Sequence, residues 1–163
     1  MCAETKLSDR ILIVGLGSPI MSDDAIGLRV IDEIDKIKPD YVDTRQEAIG
    51  GLDIIPVISG YRYAIIVDAI QTRMYAPGTV MMFNPEDFEP TIGNSSAHEV
   101  NLATAMSIGR QMDPESMPVA VRFVAIEVED MQTISETMTE AVQKALPHAV
   151  DAVMHYAKEF RSQ

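Results

Sequence analysis

Three side chains that could bind a metal ion lie where one predicted element gives way to the next. Asp24 falls where a helix should begin, Asp68 ends an apolar run, and His98 should open a later helix. Two carboxylates and one imidazole form a ligand set that divalent metals accept in proteins. Because α/β proteins build their sites at the carboxyl edge of a parallel sheet, these positions predict one shared metal site.

Each of these residues also has an explanation that needs no metal. Asp23 and Asp24 could cap and charge the first helix, and Asp68 could accept backbone N–H bonds from a neighbouring turn. A lone histidine in a loop is often polar surface, although a helix N-terminus keeps the ring of His98 neutral and able to donate a lone pair. The common sheet edge favours one site over three unrelated roles.

The first motif, residues 11–27, also invites comparison with a dinucleotide-binding fingerprint. Gly15 and Gly17 fit the G-x-G-x-x-G pattern, but Ile20 stands at the third glycine position. Asp23 and Asp24 fall in the first turn of the helix, where their charges would repel the phosphate that a helix N-terminus attracts. The same two charges suit a cation, so the motif argues against nucleotide binding.

Alternating apolar runs and helical patterns predict the elements that must position these residues. The predicted strands cover residues 11–16, 41–46, 63–68 and 119–126, with a further strand that follows a turn at residues 76–79 and runs through Phe83. The predicted helices cover residues 22–37, 52–58, 98–111 and 135–160. The last helix is expected in two pieces, with Pro147 at the start of the second, because proline is tolerated in a first turn. This alternation predicts an α/β fold with a mainly parallel sheet covered on both faces. Without repeats or linkers, we expect a single domain over residues 1–163, with residues 1–9 as a flexible tail.

Composition excludes several classes of partner. Thirteen Lys and Arg against twenty-five Asp and Glu give a net charge of -12, which opposes binding to nucleic acid or to anionic membranes. The single cysteine, Cys2, allows no internal disulfide, which suits a reducing cytoplasm. The first apolar run is too short for a signal peptide, and no run approaches the roughly 20 residues of a membrane span. We therefore expect a soluble, cytoplasmic protein.

Three blocks of residues follow the order and spacing of a known family pattern. The blocks are Gly15-Leu16-Gly17-Ser18 with Asp23-Asp24 and Gly27, Val67-Asp68-Ala69 with Pro77-Gly78-Thr79, and Ser95-Ser96-Ala97-His98-Glu99. In these blocks the chain resembles the hydrogenase maturation endopeptidases. That family trims the C-terminal extension from the large subunit of nickel-iron hydrogenases after the metal centre is inserted.

The resemblance implies a fold, a partner and a set of ligands. The implied fold is a three-layer α/β/α sandwich with a twisted, mostly parallel five-stranded sheet, and the implied partner is a nickel-iron hydrogenase large-subunit precursor. Asp24, Asp68 and His98 would bind a divalent metal, with nickel as the implied physiological ion. The chain departs from the pattern at Ser18, which replaces an asparagine, and at an Asp-Gly-Gly segment, where Glu47 is the available acidic substitute.

Several mechanisms stay open at this point. The chain has no plausible cysteine nucleophile, no G-x-S-x-G elbow and no H-E-x-x-H motif. One hypothesis is hydrolysis by a metal-bound water, with Asp23 or Glu47 as the base. A second, which we favour, is that the nickel belongs to the precursor and the ligands recognise it there, although another divalent ion could substitute. A third is a binding module that inspects the precursor without cutting it. His148 and His155 are expected to be surface or packing residues.

Overall fold

One five-stranded sheet organises the residues that the computed structural model describes. These are residues 6–84 and 97–163, with the backbone alone described for residues 97–101. The strands are β1 (Ser8–Leu16), β2 (Val42–Glu47), β3 (Tyr61–Ile70), β4 (Val80–Phe83) and β5 (Ala120–Glu127). The helices are α1 (Ile26–Ile37), α2 (Ile54–Ile58), α3 (Ala97–Met112) and α4 (Glu140–Arg161), with short 3-10 turns at Ser22–Ala25 and Gly51–Asp53.

The strand order is β2-β1-β3-β5-β4, and the sheet is parallel except at one edge. β1 pairs in parallel with β2 and β3, and β3 pairs in parallel with β5, whereas β4 pairs antiparallel with β5. The carboxyl ends of the four parallel strands therefore meet at one edge of the sheet. The α/β fold with a mostly parallel, five-stranded sheet is confirmed.

Apolar side chains project from both faces of the central strands. Ile11 and Ile13 of β1 pack in a cluster with α1 and α4, while Leu12 and Val14 pack in a second cluster with α2 and α3. All four of these side chains are at most 2% exposed. Continuous apolar runs are the expected sequence of strands that are covered on both sides, and here they produce three layers.

Two glycines bring α1 unusually close to the sheet. A Cβ on Gly15 would lie 2.2 Å from the carbonyl oxygen of Gly27, and a Cβ on Gly27 would lie 2.4 Å from the carbonyl oxygen of Leu16. Neither position has room for a side chain. The start of α1 therefore rests directly on the backbone of β1, which fixes the turn that precedes it.

The structure corrects two expectations about the ends of elements. Residues 135–139 are not helical, and α4 runs unbroken from Glu140 to Arg161 with Pro147 in its interior. Proline has no N–H to donate to the carbonyl of Gln143, but both residues are exposed, so water can solvate that carbonyl. The opposite, buried side of α4 packs on the sheet and holds the helix in place. β1 begins at Ser8, inside the segment that was expected to be a tail.

Cys2 lies outside the described residues. Among the described residues, we find no helix with the length and apolar character to span a membrane.

Candidate active site

An open cleft of about 450 Å³ lies at the carboxyl edge of the sheet and contains two of the predicted ligands. Its walls are Leu16, Gly17, Ser18, Asp24, Ala48, Ile49 and Asp68. Asp24 comes from the turn after β1 and Asp68 from the end region of β3, which pairs directly with β1. The predicted convergence of these two carboxylates on one sheet edge is therefore observed.

Asp24 is held by the loop that precedes it. The Ser18 N–H donates a 2.9 Å hydrogen bond to Oδ2 of Asp24, so the loop orients the carboxylate. Gly17 has a φ of +144°, and a Cβ there would lie 1.9 Å from the carbonyl oxygen of Asp24. The glycine is thus required both by its backbone conformation and by the close approach of the Asp24 turn.

Asp68 is a buried carboxylate inside a strand. It is 5% exposed, and the Ala69 N–H donates a 2.8 Å hydrogen bond to its Oδ1. A buried carboxylate must be compensated by hydrogen bonds or by positive charge, because burial removes its hydration. Asp68 lies on the wall of the cleft, where a bound cation could supply part of that compensation.

The third predicted ligand is placed by its backbone only. His98 is the second residue of α3, and its side chain lies outside the described residues, as does the Ser95-Ser96 segment before it. Among the side chains that the structure does describe, no group of three His, Cys, Asp or Glu could hold a metal ion. The three-residue ligand set therefore stays a prediction, with two of its members in one cleft.

Asp23, which we expected as a possible base, is occupied elsewhere. It is fully buried and does not line the cleft. Its Oδ2 accepts N–H bonds of 3.0 Å from Glu129 and Asp130, and its Oδ1 accepts a 2.7 Å bond from the Thr139 N–H. The Thr139 hydroxyl also donates to this carboxylate. This geometry argues against the role of base, because both carboxylate oxygens of Asp23 accept hydrogen bonds that fix the connection between β5 and α4.

The β5–α4 connection, residues 128–139, makes hydrogen bonds with residues 20–23, directly before Asp24. Ser22 donates its N–H to the carbonyl of Ser135 at 2.9 Å, and Ser135 donates its N–H to the carbonyl of Ile20 at 2.9 Å. Asp130 also accepts hydrogen bonds from the Thr133 side chain and then from the Thr133 and Gln132 backbone, which lower the pKa of its carboxyl. These contacts make the connection a support for the turn that carries Asp24.

Glu127 is a buried acidic residue that the sequence reasoning missed. It is 1% exposed, and its two carboxylate oxygens accept the Thr72 N–H at 3.2 and 3.0 Å. The Thr72 hydroxyl donates to it as well, so Glu127 ties the loop after β3 to the end of β5. The available signal was the same as for Asp68, namely an acidic residue closing an apolar strand.

Three further residues considered in the sequence lie at the edge of the cleft or away from it. Glu47 ends β2, and its carbonyl accepts the Gly17 N–H at 3.1 Å, while the neighbouring Ala48 and Ile49 line the cleft. His148 and His155 are exposed on α4 and do not line the cleft, which agrees with the expected surface role.

Comparisons with known proteins agree with this architecture. A family model described as HycI, hydrogenase maturation protease, matches residues 28–156. The chain is 27% identical over 150 residues to the hydrogenase 2 maturation protease of Escherichia coli K12, covering 88% of this chain and 90% of that protein. It is also similar to the solved structure of the hydrogenase maturating endopeptidase HybD from E. coli. That similarity has a TM-score of 0.75, 28% identity and coverage of 92% and 93% of the two chains.

A second solved structure shows the same fold at greater sequence distance. The [NiFe] hydrogenase maturation protease HybD from Thermococcus kodakarensis superposes with a TM-score of 0.72 at 22% identity, covering 91% of this chain and 99% of that one. The family match spans Asp68 and His98 and begins just after Asp24. The chain therefore belongs to the hydrogenase maturation protease family and is a peptidase.

Proposed function

We propose that this peptidase removes the C-terminal extension of a nickel-iron hydrogenase large-subunit precursor after nickel has been inserted. In this proposal Asp24, Asp68 and His98 recognise nickel that the precursor carries. The observation that supports it best is that Asp24 and Asp68, from different elements, line one cleft and are each oriented by a backbone N–H. The names of the relatives, a hydrogenase 2 maturation protease and a [NiFe] hydrogenase maturation protease, favour this class of substrate.

The donor set suits a divalent ion of this kind. Imidazole nitrogen is a good ligand for nickel, and carboxylate oxygen adds the negative charge that a dication requires. Asp68 is already buried, so a cation beside it would offset the loss of hydration that burial imposes. His98 begins α3, where the helix dipole favours the neutral ring that a metal needs.

Recognition of the precursor's nickel would act as a checkpoint. Contacts between the cleft and the loaded metal centre would hold the precursor so that its scissile peptide bond lies at the cleft. Fixing the reacting groups in this way converts a slow encounter into a positioned reaction. A precursor without nickel would lack this anchor, so it would be held poorly and cut slowly.

The alternative with an enzyme-held metal makes a different prediction. In that case Asp24, Asp68 and His98 would keep a resident ion whose chemistry is to make bound water acidic enough to attack at neutral pH. Metal added to the enzyme would then allow cleavage of a nickel-free precursor. In the checkpoint proposal, metal added only to the enzyme has no such effect.

The test is a mass measurement on the precursor before and after incubation with the enzyme. We expect the nickel-loaded precursor to lose a C-terminal fragment and the nickel-free precursor to keep its mass. Efficient cleavage of nickel-free precursor would overturn the checkpoint. An unchanged mass of the loaded precursor would overturn the protease assignment for this substrate and would favour a binding module that does not cut.

Conservative variants test the ligand set. Asp24→Asn and Asp68→Asn keep an oxygen that can accept the Ser18 or Ala69 N–H but lose the charge. We expect each to lower kcat/KM for the loaded precursor by about a hundredfold or more, since each removes one of the negatively charged ligands of the nickel. Asp53→Asn, an exposed acid that does not line the cleft, is the matched control and should stay within about twofold. Equal activity of all three variants would refute the assignment.

A further inference from the structure

A second cavity opens beside the cleft and differs from it in chemistry. We call it the apolar pocket; it has a volume of about 340 Å³ and is lined by Leu16, Ile49, Gly50, Gly51, Ile54, Asp68, Leu102 and Phe123. Of the described residues in this lining, Asp68 is the one that carries a charge, and the others are apolar or glycine. The pocket shares Leu16, Ile49 and Asp68 with the cleft, so a ligand could occupy both without leaving the protein surface.

Gly50, on the rim of the apolar pocket, has no structural need to be glycine. Its φ of -151° and ψ of 171° are ordinary extended values that any residue adopts. A Cβ built on it meets no heavy atom of the described residues within 4 Å. In contrast, Gly15, Gly17 and Gly27 would each place a Cβ within 2.4 Å of a backbone oxygen. Packing of the folded chain therefore explains those three glycines but not Gly50.

The space beside Gly50 continues along the rim. Gly51 has a φ of +60°, which favours glycine, and within the part of the chain that the structure describes a Cβ there would also meet no heavy atom within 4 Å. Two successive residues without side chains leave an open strip of backbone above an apolar cavity. Such a strip is what another backbone requires in order to approach closely.

We propose that the apolar pocket is a specificity subsite that takes one apolar side chain of the precursor near the cleaved bond, while the precursor backbone passes over Gly50 and Gly51. The proposal rests on the proposed function, because the pocket is continuous with the cleft at Asp68. The apolar lining suits an aliphatic or aromatic side chain rather than a polar one. The pocket excludes an acidic side chain at this position, because its charge would lose hydration among apolar walls and would be repelled by Asp68.

The test compares variants that fill the open strip with a control at the same sheet edge. Gly50→Val adds a branched side chain where the structure has free space, and Ala76→Val makes a similar change at an exposed loop residue that lines neither cavity. With nickel-loaded precursor we expect Gly50→Val to lower kcat/KM at least tenfold, mainly through KM, and to melt within about 2 °C of the wild type. Ala76→Val should match the wild type in both measurements. If Gly50→Val is unstable, Gly50→Ala replaces it, with a several-fold loss expected.

A change in the precursor gives an independent measurement. Each apolar residue within four positions of the cut is replaced in turn by Asp in the nickel-loaded precursor. We expect one position at which the wild-type enzyme loses about ten- to a hundredfold in kcat/KM, and we expect Gly50→Val to show a much smaller loss at that position.

Three results would overturn the subsite. The first is wild-type kcat/KM in the folded Gly50 variants, and the second is the absence of any sensitive position in the precursor. Both leave the proposed function intact, because the wild-type enzyme still cuts. The third is failure of the wild-type enzyme to cut loaded precursor at all, which removes the proposed function and the subsite together.

Discussion

Replacing Asp23 by alanine should destabilise the protein far more than an ordinary surface substitution. The change removes the carboxylate that accepts N–H bonds from Glu129, Asp130 and Thr139 and a hydroxyl bond from Thr139. Asp23 itself is fully buried, so its removal takes the central acceptor out of a polar cluster in the protein interior. The support under the turn that carries Asp24 would therefore loosen.

The size of the effect follows from these bonds and from their surroundings. A hydrogen bond to a charged group contributes about 1.5–3 kcal/mol, and bonds that share one carboxylate are not additive. Glu129 is exposed and Asp130 is half-buried, so water can reach their amides in the variant and recover part of the loss. We therefore expect a loss of about 3 kcal/mol, which is comparable with breaking a buried charged contact. For a domain of this size, that corresponds to a Tm lower by about 6–12 °C.

Denaturant unfolding with a linear extrapolation measures this loss, and a thermal melt checks it. Asp151→Ala on the exposed side of α4 is the control, and it should change stability by no more than about 0.5 kcal/mol. Asp23→Asn keeps the volume but places an amide N–H₂ among N–H donors, so it should lose about as much stability as alanine.

Two results would contradict the supporting role of Asp23. A loss below about 1 kcal/mol in Asp23→Ala would mean that the four donors do not depend on this carboxylate. Unchanged stability together with a hundredfold loss of cleavage would restore Asp23 as a chemical participant and would contradict the role of support.

Two further predictions concern positions with clear geometric causes. Gly17→Ala should lower cleavage of loaded precursor at least tenfold, because its Cβ would lie 1.9 Å from the Asp24 carbonyl oxygen. Gly60 also has a positive φ, but a Cβ there would meet no described heavy atom within 4 Å. Gly60→Ala should therefore lose only about 1 kcal/mol of stability and keep its activity, and equal cleavage by both variants would contradict this. Burial, followed by the Asp43 hydrogen bond, raises the pKa of Tyr61 above its usual 10.0. The folded state therefore holds this proton more tightly, so stability is intact below pH 10 and falls as pH rises through the folded pKa. Tyr61→Phe should flatten this alkaline decline in unfolding experiments, and an identical slope in the variant would show that Tyr61 does not cause it.

The fold was predictable because its strands carry a strong local signal. The runs that became β1 and β3 are apolar on both faces, and such runs separated by helices have few solutions other than a covered parallel sheet. The interior proline of α4 was not predictable in the same way. The preference of proline for a first helical turn is overridden because the buried side of α4 packs on the sheet. That packing involves residues far apart in the chain, so a local sequence pattern does not show it.

The candidate site was predictable to the extent that strand ends determine it. Asp24 and Asp68 follow or end neighbouring strands, so parallel topology alone brings them to one edge. The different roles of Asp23 and Asp24 could not be read from the sequence. They are adjacent in the chain, and what separates them is contact with residues 129–139, which no local pattern specifies.

The long reach of the Asp23 contacts also fixes when the site can form during synthesis. Its partners lie 106, 107 and 116 residues further along the chain. At ordinary elongation rates of about 5–20 residues per second, Asp23 joins the growing chain roughly 6–23 s before Thr139 is added. Throughout that interval the carboxylate lacks the donors that hold it in the native interior. A nascent or truncated chain that ends before the start of α4 therefore cannot hold the Asp24 turn in place, and competence to meet a precursor arrives only after residues 129–139 have been made.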